Sequence, residues 1–245
     1  MRSGALIVLE GAEGVGKSTQ LSRLADALER SGVACVTLRE PGGTAVGEAI
    51  RGLLLDASLA PSGSAEALLF LASRAQLVAD AIRPALALGQ TVLLDRFFLS
   101  TYAYQIAGRG LDEGQVMEAN QLAVGGLVPD LTLVLELPRG AGLSRAAARG
   151  ERDRMELADA EFHDRVEAAF STFGNDAWQR GHPECGPIVR IDASGTEHDV
   201  AVAISGAVVQ RLPGLAVEVA AADQAANRLR QRAADTTGAA EAVSP

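Results

Sequence analysis

The stretch from Ala5 to Leu28 constrains this chain more than any other. Ala5-Leu6-Ile7-Val8-Leu9-Glu10 is apolar almost throughout and does not alternate, which suits a strand buried on both faces of a parallel sheet. It leads directly into Gly11-Ala12-Glu13-Gly14-Val15-Gly16-Lys17-Ser18. After Lys17, the apolar positions Leu21, Leu24, Ala25 and Leu28 recur at helical spacing until Ser31-Gly32 stops the run. A buried strand, a glycine loop and an amphipathic helix in that order open a right-handed crossover unit, and so an α/β fold.

The pattern repeats along the chain. Val33–Leu38, Thr91–Asp95, Leu131–Leu137 and Ile188–Ile191 read as further strands, giving a five-stranded parallel sheet flanked by helices. Helices are expected over Val46–Leu55, from Ser64 onward with a kink at Pro84, and over Val200–Leu212. Arg39-Glu40-Pro41-Gly42-Gly43-Thr44 is a loop. Residues 1–214 form one domain, and residues 215–245 an alanine-rich tail, helical over about 217–234 or disordered.

Composition narrows the function. A net charge of −9 argues against a broad nucleic-acid surface. No apolar stretch reaches the roughly 20 residues that span a bilayer, and no signal peptide is recognisable, so a cytoplasmic protein is expected. Cys35 and Cys185 form no paired motif and read as buried small hydrophobes in a reducing compartment. His163, His182 and His198 lack metal-ligand spacing and read as surface or loop residues.

The octapeptide at 11–18 fits G-x-x-x-x-G-K-S, the phosphate-binding loop pattern. Its Lys17 is the single lysine against 21 arginines. An ammonium is a compact point charge that fits a tight backbone cradle, whereas a guanidinium is a wide planar fork. Backbone N–H groups of residues 13–18 would converge on the β-phosphate of a nucleoside triphosphate at the helix N-terminus, making Gly11, Ala12, Glu13, Gly14, Val15, Gly16, Lys17, Ser18 and Thr19 the expected nucleotide-binding residues. Lys17 would bridge the β- and γ-phosphates and the Ser18 hydroxyl would ligate Mg²⁺. With one lysine spent on the loop, no N-K-x-D guanine-reading motif exists.

Two features point from nucleotide binding to phosphoryl transfer. Asp95-Arg96 ends a strand, with Asp95 placed for Mg²⁺ and Arg96 for an anionic second substrate; a surface ion pair is the plain alternative. Arg145, Arg149, Arg152 and Arg154 crowd around Gly150, which reads as a mobile basic lid at about 143–155 or, more plainly, as a solvated helix with alternating charges.

Leu9-Glu10-Gly11-x-Glu13, the loop through Gln20, Arg39-Glu40-Pro41-Gly42-Gly43-Thr44, Asp95-Arg96-Phe97-x-x-Ser100-Thr101 and Gly108-Arg109-Gly110 together resemble the thymidylate kinase family. The likeness runs in order from about Leu6 to Leu212. It implies a P-loop kinase fold, transfer of the ATP γ-phosphate to dTMP, and a homodimer. It also implies that Glu13 faces the deoxyribose 3′-hydroxyl, that Phe70 stacks on thymine and that Arg74 bonds its carbonyl edge. Arg96 would hold the dTMP phosphate with Arg39 near it, and Thr101 and Gln105 would lie by the base. An acid in place of an arginine within the loop resembles the bacterial type, in which a lid arginine, best matched by Arg149, neutralises charge. Lys17, Arg149, Arg96 and Glu13 are thus the expected catalytic set. Kinases for other mononucleotides and a nucleotide-driven switch remain the rival readings.

Overall fold

The computed structural model describes residues 4–138, 140–142 and 154–215. Five strands, β1 (Leu6–Glu10), β2 (Cys35–Arg39), β3 (Thr91–Asp95), β4 (Leu131–Glu136) and β5 (Ile188–Asp192), form one sheet in the order β2-β3-β1-β4-β5. Every neighbouring pair is parallel. The chain steps from β1 to one side and later returns to the other, so the C-terminal end of β1 sits at the switch point where ligands bind in such sheets. Register sets Leu9 opposite Asp95 and Glu10 opposite Val134.

Two cores explain the unbroken apolar runs. On one face Leu6 and Val8 of β1, Val92 and Leu94 of β3, and Val134 of β4 pack together. They meet α3 (Gly63–Leu77) through Leu77 and α7 (Ala160–Thr172) through Phe162, Val166 and Phe170. On the other face Ile7, Leu9, Leu93, Leu133 and Leu135 meet Leu21, Leu24 and Leu28 of α1 (Lys17–Arg30). Val200, Ile204 and Val208 of α9 (Glu197–Arg211) complete that layer. Successive strand residues point to opposite faces, so a sheet covered on both sides needs apolar residues at every position.

Several elements depart from the sequence reading. The helix begun at α3 does not simply kink at Pro84: it widens into a π-helical segment at Val78–Ile82 and resumes as α4 (Arg83–Ala87). Proline cannot donate the next helical hydrogen bond, and the wide turn takes up the mismatch. After the short α5 (Phe98–Thr101), two long helices stand where the sequence reading places none, α6 (Glu113–Val124) and α7; a shorter one, α8 (Asp176–Gly181), follows. Their signals lay in the caps, since Asp112 accepts from the Gln115 N–H and Asp159 from the Phe162 N–H. His163 is correspondingly not a surface residue. It is buried on α7, with no hydrogen-bond partner at Nε2. Cys185 is buried as expected, but Cys35 is only half-buried because β2 is an edge strand with partly exposed residues. Both thiols are free. The expected helix over about 217–234 lies outside the described residues.

Candidate active site

The glycine loop lies between the end of β1 and the start of α1. Gly11 has φ 140° and its Cα faces β4 so closely that a Cβ would stand 2.5 Å from the Leu135 carbonyl oxygen. Gly16 has φ 92°, a left-handed turn from which α1 begins, and a Cβ there would meet no protein atom within 4 Å. The loop is therefore pressed against the sheet at one end and open at the helix N-terminus, where an anion is favoured.

Lys17, 7% exposed, folds back so that Nζ donates to the Gly11 carbonyl at 2.9 Å and the Ala12 carbonyl at 2.8 Å. Burial and the nearby Arg96 push its pKa down to about 8, against the pull of Asp95, Glu13 and Glu10. The Ser18 hydroxyl donates to Asp95 Oδ2 at 3.0 Å. Asp95 Oδ1 is buried without a hydrogen-bond partner. Among the described residues no cluster of three or more His, Cys, Asp or Glu could cage a metal. One hydroxyl and one carboxylate with a spare oxygen instead fit Mg²⁺ carried in on phosphates, which keeps several waters and takes few protein ligands.

Arg96 follows directly. Its φ of 70° makes it the only non-glycine residue with positive φ among those described, a conformation that persists only where neighbours enforce it. Glu10 enforces it. That carboxylate, fully buried at the end of β1, accepts from the Phe97 N–H at 2.7 Å, the Ser100 N–H at 3.1 Å and the Ser100 hydroxyl at 2.6 Å. Arg96 donates to Ser100 Oγ and Tyr104 Oη, each at 3.2 Å, and to Glu13 Oε1 at 3.3 Å. The Tyr104 hydroxyl donates to Glu13 Oε2 at 2.7 Å. Burial alone would raise the Glu13 pKa, but Arg96, the Tyr104 hydroxyl and Lys17 leave it below the ordinary carboxylate range. Glu13 is thus an anion at neutral pH, set beside the phosphate loop.

These groups open on a cleft of about 340 Å³. Glu13, Gly14, Gly16, Lys17, Ser18 and Thr19 line its loop side, with Asp95 and Arg96 beside them. Arg39, Phe70, Arg74, Thr101 and Gln105 line the rest. Gly11, Ala12 and Val15 lie behind the loop; Ala12 and Val15 border a second cavity beside α7 instead. Arg39 is exposed and paired with Glu48 at 3.1 Å. Phe70 is half-buried at the wall. Thr101 and Gln105 are each 3% exposed, and a second π-helical segment, Tyr102–Gly108, carries Tyr104 and Gln105. Such wide turns cluster at functional sites.

Arg74, in the same cleft wall, is 3% exposed, and every guanidinium nitrogen has a protein acceptor. Nη2 meets Glu40 at 2.6 Å and the Phe97 carbonyl at 2.7 Å; Nη1 meets Thr101 at 2.8 Å and Asn120 at 2.9 Å; Nε meets Glu40 at 2.8 Å. Phe97 and Phe98 point into the core edge to face, and the guanidinium lies 4.8 Å from the Phe97 ring centroid. Of the lid arginines, Arg145, Arg149 and Arg152 lie outside the described residues. Arg154 pairs with Glu66 at 2.7 Å. Sequence reading assigned no role to Glu10, Tyr104, Glu40, Asn120, Glu66 or the cleft-lining Glu156. Only Glu10 and Glu40 carried a signal, as members of the motifs at 9–20 and 39–44.

A switch-point glycine loop with an ammonium, a hydroxyl paired with a carboxylate, and an arginine across one cleft fit a P-loop phosphotransferase of the nucleoside monophosphate kinase class. The family model described as thymidylate kinase matches residues 9–179. The thymidylate kinase of Synechococcus sp. (strain JA-2-3B'a(2-13)) is 48% identical over 207 residues, covering 84% of this chain and 95% of its own. That of Deinococcus radiodurans is 43% identical over 211 residues, 86% of this chain and 99% of its own. That of Pseudomonas syringae pv. syringae is 44% identical over 211 residues, 86% of this chain and 97% of its own. The chain belongs to the thymidylate kinase family.

The lowered Lys17 pKa has a measurable consequence. The Lys17 ammonium, the form that a phosphate would need, predominates in the free protein only below pH about 8. Nucleotide affinity by calorimetry should therefore hold steady from about pH 7 to 8 and weaken above it, approaching tenfold per pH unit. An affinity unchanged to about pH 10 would put the lysine at its ordinary value.

Proposed function

We propose that this chain transfers the γ-phosphate of ATP to dTMP, giving dTDP and ADP, in the cytoplasm, where two unbridged cysteines are at home. One observation carries the reading: a single cleft holds both the phosphate loop and the acceptor-type side chains, with Arg96 and Glu13 at the join.

In this reading Lys17 leaves the Gly11 and Ala12 carbonyls for the β- and γ-phosphates, while loop N–H groups hold the β-phosphate. Ser18 and Asp95 would hold Mg²⁺, which would supply charge stabilisation to the phosphate oxygens. Arg96, fixed by Glu10, fastens the dTMP phosphate with help from Arg39. A dTMP oxygen then attacks the γ-phosphorus in line, the bond to the β–γ bridging oxygen breaks, and ADP leaves. The nucleophile is already an anion, so no general base is needed and positioning carries the catalysis. Glu13 accepts from the sugar 3′-hydroxyl. Phe70 stacks on thymine, and Thr101 and Gln105 face the base. Arg74 acts there by sharing a donor and by aiming the Thr101 hydroxyl. Arg149, assigned on sequence alone, neutralises the transferring group. The catalytic unit ends near residue 214.

A homodimer fits the exposed side of α2 (Ala45–Leu55), α3 and α6, where Leu53, Leu68 and Leu122 are 50%, 61% and 87% exposed. Light scattering should read about twice the 25.3 kDa chain mass; a monomer across micromolar concentrations would rule the dimer out.

A coupled assay with ATP and a panel of nucleoside monophosphates tests the reaction. dTMP is expected to be the preferred acceptor, and Lys17→Arg to lose about a hundredfold or more in turnover while staying folded. Preference for dCMP or dUMP, or hydrolysis without any acceptor requirement, would overturn the reading.

A further inference from the structure

Glu66, in the first turn of α3, has no part in the transfer described above, yet it is 1% exposed and held by two arginines. Arg109 donates from Nε to Oε1 and from Nη2 to Oε2, each at 3.0 Å. Arg154 meets Oε2 from Nη1 at 2.7 Å. One guanidinium making two such bonds already neutralises one buried carboxylate. The second is surplus to charge balance, so what it adds is a connection.

That connection joins three walls of the cleft. Phe70 stands one helical turn beyond Glu66 on α3. Arg109 follows the π-helical segment that carries Tyr104 and Gln105, and Gln105 Nε2 itself lies 3.5 Å from Glu66 Oε1. Arg154 is followed at once by Met155 and Glu156, which line the cleft. Arg154 is also tied to the end of α2, donating from Nε to the Leu54 carbonyl at 2.8 Å and from its backbone N–H to the Leu55 carbonyl at 3.3 Å. Met155 is clamped beneath the same two arginines, its Sδ 3.5 Å from Arg154 and 4.0 Å from Arg109.

We propose that Glu66 is a positioning residue whose pairing with Arg154 seats Met155 and Glu156 against the acceptor end of the cleft. The base wall on α3 and the segment entering at Arg154 then move as one body, and acceptor binding is felt at that segment. The assignment of this end to the acceptor rests on the reading given under Proposed function; the tether does not.

Hydrogen exchange separates the two, because it needs no substrate. In Glu66→Gln and Arg154→Gln, amides of 155–158 should exchange about tenfold faster or more, with β1 and β4 unchanged. In steady-state kinetics, the dTMP KM should rise about fivefold or more and the ATP KM stay within about twofold. Arg154→Lys, which keeps the cation, should recover most of the protection. Unchanged exchange at 155–158, or acceleration spread equally over β1 and β4, would overturn the tether. Local acceleration with an unmoved dTMP KM would overturn its coupling to the acceptor. A wild-type enzyme that ignores dTMP would overturn the acceptor reading and leave the exchange result standing on its own.

Discussion

The site depends on one buried carboxylate. Glu10 ends the central strand and has no access to water, so it needs partners, and the turn after β3 supplies three donors. A buried charge must be satisfied in this way, because solvating it any other way is closed. Those bonds lock the turn to β1 and hold Arg96 in its left-handed conformation. They also start the helical stretch that carries Thr101, Tyr104 and Gln105. The phosphate loop leaves the same strand one residue later. The phosphate loop and the facing wall of the cleft are therefore both referenced to the end of β1.

Charge type divides the work around that reference. Lys17 fits within a backbone cradle and rests on two carbonyls, its ammonium weakened by burial and by Arg96. The arginines make forked contacts instead: Arg74 with Glu40, Thr101, Asn120 and a carbonyl, Arg96 with Ser100, Tyr104 and Glu13. Planar donors with several N–H groups suit such multi-acceptor corners. Glu13, an anion beside a phosphate site, is held there by Arg96 and Tyr104 rather than by the loop itself.

The legible parts were those encoded locally. A strand, a glycine loop and a helix follow one another in sequence, so β1, the loop and α1 could be read directly, as could Asp95-Arg96 at a strand end. The all-parallel five-stranded sheet followed from apolar runs at crossover spacing. What stayed hidden was built by contacts between distant segments. Arg74 reads as an ordinary helix arginine until Glu40, Asn120 and Phe97 arrive from 34, 46 and 23 residues away. Arg154 sits in a run of alternating charges that looks like local ion pairing, yet its partner is Glu66 on α3. Helices α6 and α7 show in the sequence chiefly through single capping aspartates, Asp112 and Asp159, and the burial of His163 depends on α7.

The proposed grip of Arg96 on the acceptor phosphate, and its dependence on Glu10, is open to a direct double comparison. Calorimetric affinities of dTMP and of unphosphorylated thymidine would be measured on the natural protein and on Glu10→Gln. If Glu10 sets Arg96 for the phosphate, the substitution weakens dTMP by about tenfold or more, a cost of about 1.4 kcal/mol, and leaves thymidine nearly unchanged. Equal losses for both ligands, or none for dTMP, would contradict it.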